Sequence, residues 1–146
     1  MILKDRGDFL RIDVTGRTPP SVQGAGDTEF EIEVRMSTAM NTEFHGMSWA
    51  WLDINEMKAF VKRLRMIQAG TAEDASAVAM SPKEFALSVR IYNKAKHIGV
   101  FGKLGHWCES SADQSCWSEI NFGFRIEDSE LKQLTRIFED LCNNTA

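Results

Sequence analysis

His106, Cys108 and Cys116 fall in one stretch of the chain, and all three are residue types that bind soft metals. A structural zinc site needs a fourth ligand, and its cysteines usually pair at about two to four residues' separation. His97 or His45 could complete the set only by folding in, and nothing in the spacing asks for it. The expectation is therefore no metal and no cofactor. A Cys108–Cys116 disulfide is geometrically open, but it would not persist in a reducing compartment. A cysteine–histidine nucleophile pair needs a lowered thiol pKa and an oriented base. The sequence sets no activating partner beside either thiol, so no catalytic residue is assigned.

Carboxylates offer a second chemistry. Glu29, Glu31 and Glu33 alternate with Phe30, Ile32 and Val34, which puts all three on one face of a strand beside Arg11 and Asp13. Acid–base work would require surroundings that drive their pKa values apart. Without that, the row is either a solvated face or an acidic docking surface. Tryptophan adds a third signal, because it anchors both cores and binding hot spots. Trp49 and Trp51 share one side of a strand. Trp107 and Trp117 bracket a polar segment holding Glu109, Ser110, Ser111 and Asp113, and form the better candidate for an exposed recognition patch. The candidate binding residues are thus Glu29, Glu31, Glu33, Trp107 and Trp117. Phosphate-loop, dinucleotide, zinc-protease and nucleophile-elbow patterns are absent. Gly24-Ala25-Gly26 leads into a strand and lacks the helix N-terminus that would hold a phosphate.

The elements that must carry these groups follow from periodicity. Leu10, Ile12 and Val14 alternate with polar residues over 8–15, and Phe30, Ile32, Val34 and Met36 do so over 28–36. A third strand covers 43–51, where Gly46 weakens the pattern. Asp53 caps a helix in which Ile54, Met57, Phe60, Val61, Leu64 and Ile67 form the apolar stripe, with Glu56 placed for a reciprocal capping bond and Gly70 as the stop. Strands are expected over 75–80, 85–91, 98–104 and 119–126, with a loop from Gly105 to Ser118 before the last. A second helix opens at Asp128 and Glu130 and buries Leu131, Leu134, Ile137, Phe138 and Leu141. The order βββ–α–ββββ–α predicts an α+β fold: an antiparallel sheet of about six or seven strands with both amphipathic helices on one face. The pattern shows no internal repeat.

The 146 residues fit one domain. The net charge of −4 argues against sequence-independent binding of nucleic acid, which needs clustered cations. Met1–Asp8 lacks the apolar core of a secretory signal, and no apolar run is long enough to cross a bilayer. Three cysteines do not make a disulfide scaffold, so the cytoplasm is the expected compartment and no membrane partner is expected.

With the elements in this order, the chain resembles the WapI-like immunity proteins of bacterial polymorphic-toxin systems. The likeness runs through FLRIDVTG (9–16), WLDINEMKAFVKRLRMIQAG (51–70), EFALSVRIY (84–92) and NFGFRIEDSELKQLTRIFEDL (121–141), which are spread along the chain from residue 9 to residue 141. The resemblance implies a protein that binds and neutralises a cognate toxin inside the producing cell. It assigns no functional residue, and the WCESSADQSCW segment (107–117) has no counterpart in it. The expected function is non-enzymatic protein binding. The rival is a small enzyme or ligand-binding domain that uses the Cys/His loop and a sheet face, and a concave pocket with convergent polar groups would favour it.

Overall fold

The computed structural model describes residues 1–37, 42–109 and 115–144. Strands β1 (Ile2–Asp5), β2 (Asp8–Arg17), β3 (Thr28–Ser37) and β4 (Glu43–Leu52) precede helix α1 (Ile54–Gln68). Strands β5 (Asp74–Val78), β6 (Phe85–Ile91), β7 (Ile98–Glu109) and β8 (Ser115–Ile126) precede helix α2 (Asp128–Asn143). Each quartet pairs in sequence order as an antiparallel meander. The fold is α+β, as expected, but its eight strands form two four-stranded sheets in place of one sheet of six or seven.

The extra strand is β1. Its four residues are too short for a periodicity signal, and it is held from outside itself: the terminal ammonium donates to Ile12 O at 2.8 Å and to Asp13 Oδ1 at 3.1 Å. Separation into two sheets follows from α1, which stands between β4 and β5. The outer edge of β4 meets Met80 N–H, which donates to Trp51 O at 2.8 Å, and no ladder from β5. The expected loop at Gly105–Ser118 is instead the far end of the β7–β8 hairpin, with β7 running to Glu109 and β8 starting at Ser115. Gly105 reads as a breaker, yet here it keeps the strand going by leaving room for the Trp117 ring and the Lys83 carbonyl.

One core joins all layers. The whole predicted stripe of α1 is buried, and the α1 and α2 helices pack together. Phe138 of α2 stacks on Phe30 of β3 at 5.8 Å and meets Phe60 of α1 edge-on at 5.2 Å. Phe122 and Phe124 of β8 belong to the same buried cluster. On α2, however, Thr135 and Cys142 are buried where Ile137 and Leu141 are only half-buried. The Thr135 hydroxyl is satisfied there, donating to Leu131 O at 2.8 Å and accepting from Gln68 Nε2 at 2.7 Å across the helix pair.

The two halves repeat one plan, four strands and a helix, which the sequence pattern alone did not disclose. Leu52-Asp53-Ile54-Asn55-Glu56-Met57-Lys58 and Ile126-Glu127-Asp128-Ser129-Glu130-Leu131-Lys132 place an acidic cap, a glutamate and a buried aliphatic residue at the same steps. Asp53 Oδ1 accepts from Asn55 N at 2.7 Å and from Glu56 N at 3.2 Å. Glu56 does not reach back to the cap as expected; its Oε1 accepts from Val78 N of β5 at 3.0 Å. Glu130 does reach back, to Glu127 N at 2.9 Å, and its other oxygen accepts from Lys4 N of β1 at 3.2 Å. Each helix thus satisfies an outward amide on the first strand of the other half, and both strands are sheet edges.

Candidate functional site

The outer face of the first sheet carries an ordered array. Register sets Glu29 opposite Trp51, Glu31 opposite Trp49 and Glu33 opposite Met47. On the other side of β3, Arg11 faces Glu33 and Asp13 faces Glu31. Met47 and Trp49 are each 45% exposed and Trp51 36%, while the intervening Ser48, Ala50 and Leu52 are buried. The phase of β4 explains why two tryptophans point outward. Its inner side approaches the second sheet closely: Ile120 lies over Gly46, and Ser48 Oγ donates to Gly105 O at 3.2 Å. Only small residues fit along that contact, so the large ones take the outer side.

The three glutamates are not equivalent. Glu33 is gripped on both oxygens, with Arg11 Nη2 at 2.8 Å from Oε2 and His45 Nε2 at 2.6 Å from Oε1. The Arg11 contact is a charge contact off the hydrogen-bond axis, which leaves Oε2 buried without a hydrogen bond. The Glu33 side chain is 14% exposed and that of Glu31 27%. Glu31 has only a long 3.4 Å contact to the same guanidinium, whose Nε turns to Asp13 at 3.1 Å. Glu29 accepts from Thr15 Oγ1 at 3.0 Å. Arg35 pairs with Glu43 at the end of the face. Carboxylates outnumber arginines across this surface, and the least engaged of them, Glu31 and Glu29, stand directly beside the exposed indoles.

The three histidines each have a different local partner. His45 lies on this face, and His97 closes the β6–β7 turn against Asn93, its Nδ1 at 2.9 Å from Asn93 Nδ2. His106 sits 3.5 Å from Ser48 Oγ. The β7–β8 register pairs the backbones of Cys108 with Cys116 and of Trp107 with Trp117. The side chains of Trp107, Cys108 and Cys116 lie outside the described residues. Trp117 is half-buried against Gly105, near Met80 and Pro82. Among the described residues, no group of three or more histidine, cysteine, aspartate or glutamate side chains is placed to hold a metal ion. Burial pushes the Cys142 thiol above its ordinary pKa, with Lys58 and Arg17 partly opposing the shift, which is the reverse of what a nucleophile needs.

The outer face of the second sheet differs in kind. The Phe101 ring lies over Gly99 and Gly123, where an added Cβ would come within 2.5 Å and 2.6 Å of it, and Arg90 stacks above at 4.1 Å from the ring centre. That ring covers bare backbone and is a packing device.

No protein-family model matches the chain, and no curated protein or solved structure matches it. No helix among the described residues is long and apolar enough to cross a membrane. The signal for Trp49 and Trp51 was present in the sequence as alternation with Ser48 and Ala50; what it lacked was the second sheet that fixes which side is inner.

Proposed function

We propose that this chain is a non-enzymatic, cytoplasmic protein-binding domain, an immunity protein that neutralises a cognate bacterial toxin by covering its working surface. The binding surface is the outer face of the first sheet, and the partner presents lysine or arginine to it. One observation carries the reading: exposed Trp49 and Trp51 stand in direct cross-strand register with Glu31 and Glu29. A cation entering between an indole face and a carboxylate gains from both, and each such contact strengthens as water leaves. Tryptophan and buried charge pairs are also where binding energy concentrates. The family resemblance of the 9–16, 51–70, 84–92 and 121–141 segments supports the same role. Occlusion of a toxin requires a rigid complementary patch and no catalytic group, which suits a face built on paired strands.

The test is co-expression with the product of the neighbouring reading frame, followed by titration calorimetry of the purified pair. Trp49→Ala should weaken the complex by about tenfold or more, as for a central hot spot. Glu31→Lys should slow association and flatten its salt dependence. A complex indifferent to both substitutions would place the interface elsewhere.

A further inference from the structure

A second site, unrelated to the sheet face, lies where the end of α1, the start of α2 and the β6–β7 turn come together. They enclose a cleft of about 560 Å³. That volume is in the range of small-molecule sites, roughly 300–1,000 Å³. Its floor is apolar, made by Ile67, Ile91, Ile98 and Leu131. Its rim carries Lys94 and Lys96 from the turn and Lys132 from α2, opposed by Glu73 and Asp128. Neither carboxylate engages them: among the described residues, none of the three ammoniums has an ion-pair partner within 4.0 Å, whereas Arg11, Arg35, Arg63, Arg65 and Arg125 all do.

The turn that presents two of these lysines is well built. Asn93 O accepts from Lys96 N at 3.0 Å and Asn93 Oδ1 from His97 N at 3.1 Å, while Tyr92 N donates to His97 O at 3.1 Å. Lys96 itself sits at φ 58°, a left-handed conformation that glycine adopts far more readily than lysine. The first turn of the 16-residue helix α2 borders the same rim through Asp128, Leu131 and Lys132, and its own N-terminal amides are already engaged by the Glu127–Glu130 capping box.

We infer that this cleft binds a small organic anion, an apolar body carrying one carboxylate, sulfonate or phosphate group. The isoleucine and leucine floor takes the body, and Lys94, Lys96 and Lys132 take the head. With three ammoniums against the two carboxylates of Glu73 and Asp128 the rim is net positive, so a cationic amphiphile of the same size is disfavoured.

Anilinonaphthalene sulfonate supplies that chemistry as a probe, titrated against the native full-length chain by fluorescence and calorimetry. One equivalent should bind, octanoate should displace it and octylamine should not. Methyl resonances of Ile67, Ile91, Ile98 and Leu131 should shift together. In the Lys94→Ala/Lys96→Gly/Lys132→Ala variant, affinity should fall by about tenfold or more, the scale of lost charge-assisted contacts. Its melting temperature should hold, because Lys96→Gly relieves an unfavourable φ and the other two sites are exposed; Lys132→Ala alone gives the same reading at lower amplitude. No saturable binding, equal displacement by octylamine, shifts confined to other methyls, or undiminished affinity in the lysine variants would each overturn the assignment.

Discussion

Reversing Glu33 to lysine should cost far more stability than reversing Glu31, although both side chains sit on one face of β3. Glu33 lies 2.8 Å from Arg11 Nη2 and 2.6 Å from His45 Nε2 and is 14% exposed. A lysine there turns an attraction into a repulsion. Unit charges about 4 Å apart interact by roughly 1 kcal/mol in water and roughly 4 kcal/mol at an effective dielectric of about 20. The half-covered setting of Glu33 lies between these limits, so Glu33→Lys should cost about 2–4 kcal/mol. Glu31 reaches the same guanidinium only at 3.4 Å and is more exposed, so Glu31→Lys should cost less than about 1 kcal/mol. A chain of this length holds together by roughly 7–20 kcal/mol, so both variants should fold. Urea unfolding followed by circular dichroism measures the difference directly. Raising salt to about 1 M should narrow it, since the Debye length falls to about 3 Å. Equal midpoints for the two variants would refute the division into a tightly held Glu33 and a loosely held Glu31.

Phe122→Ala should cost about 3–5 kcal/mol, because the ring is buried in the shared core; a change under about 1 kcal/mol by urea unfolding would deny it that place. Glu130→Ala should speed amide exchange at Lys4 without unfolding the chain, since it removes the acceptor that holds the edge of β1. The raised Cys142 pKa gives a stability contribution that is whole below the ordinary thiol value of 9.0 and lost as pH climbs through the raised one. Cys142→Ala should therefore flatten the alkaline decline of the unfolding midpoint. Elemental analysis of protein purified without added metal should find zinc far below stoichiometry, and a full equivalent lost on mutating Cys108 and Cys116 would reverse that reading.

Much of the fold was legible because burial and periodicity agree where an element packs on one side only. Phe30, Ile32 and Val34, Phe85, Leu87 and Val89, and the six apolar positions of α1 are all buried as their spacing predicts. The failures have a common cause in long-range contact. Thr135 counted as polar, yet Gln68 of the other helix satisfies its hydroxyl in the interior. Gly105 counted as a break until Trp117 came to occupy the space of its missing side chain. β1 carries one buried side chain, Leu3, and its place is fixed by Ile12, Asp13 and Glu130, which no local window contains.

The candidate face shows the same limit in functional terms. Alternation alone put Glu29, Glu31 and Glu33 together, and it put Trp49 and Trp51 together. Neither row could be read as a site until register set one beside the other. A row of glutamates on an isolated strand is a solvated face, and a pair of tryptophans on an isolated strand is as good a core as any. Side by side they make something neither row is alone: carboxylates held closely by Arg11 and His45 at the Glu33 end, and more loosely beside the indoles, where Glu31 keeps a 3.4 Å contact to Arg11 and Glu29 accepts from Thr15. The closeness of Gly46 to Ile120 is what turns the indoles outward, so the exposed chemistry of the first sheet is set by how tightly the second sheet packs behind it. Enlarging that contact would therefore act on the face from behind: a bulky residue at position 46 would push β4 off the second sheet and move Trp49 and Trp51 relative to Glu31 and Glu29, without altering any group of the proposed binding face.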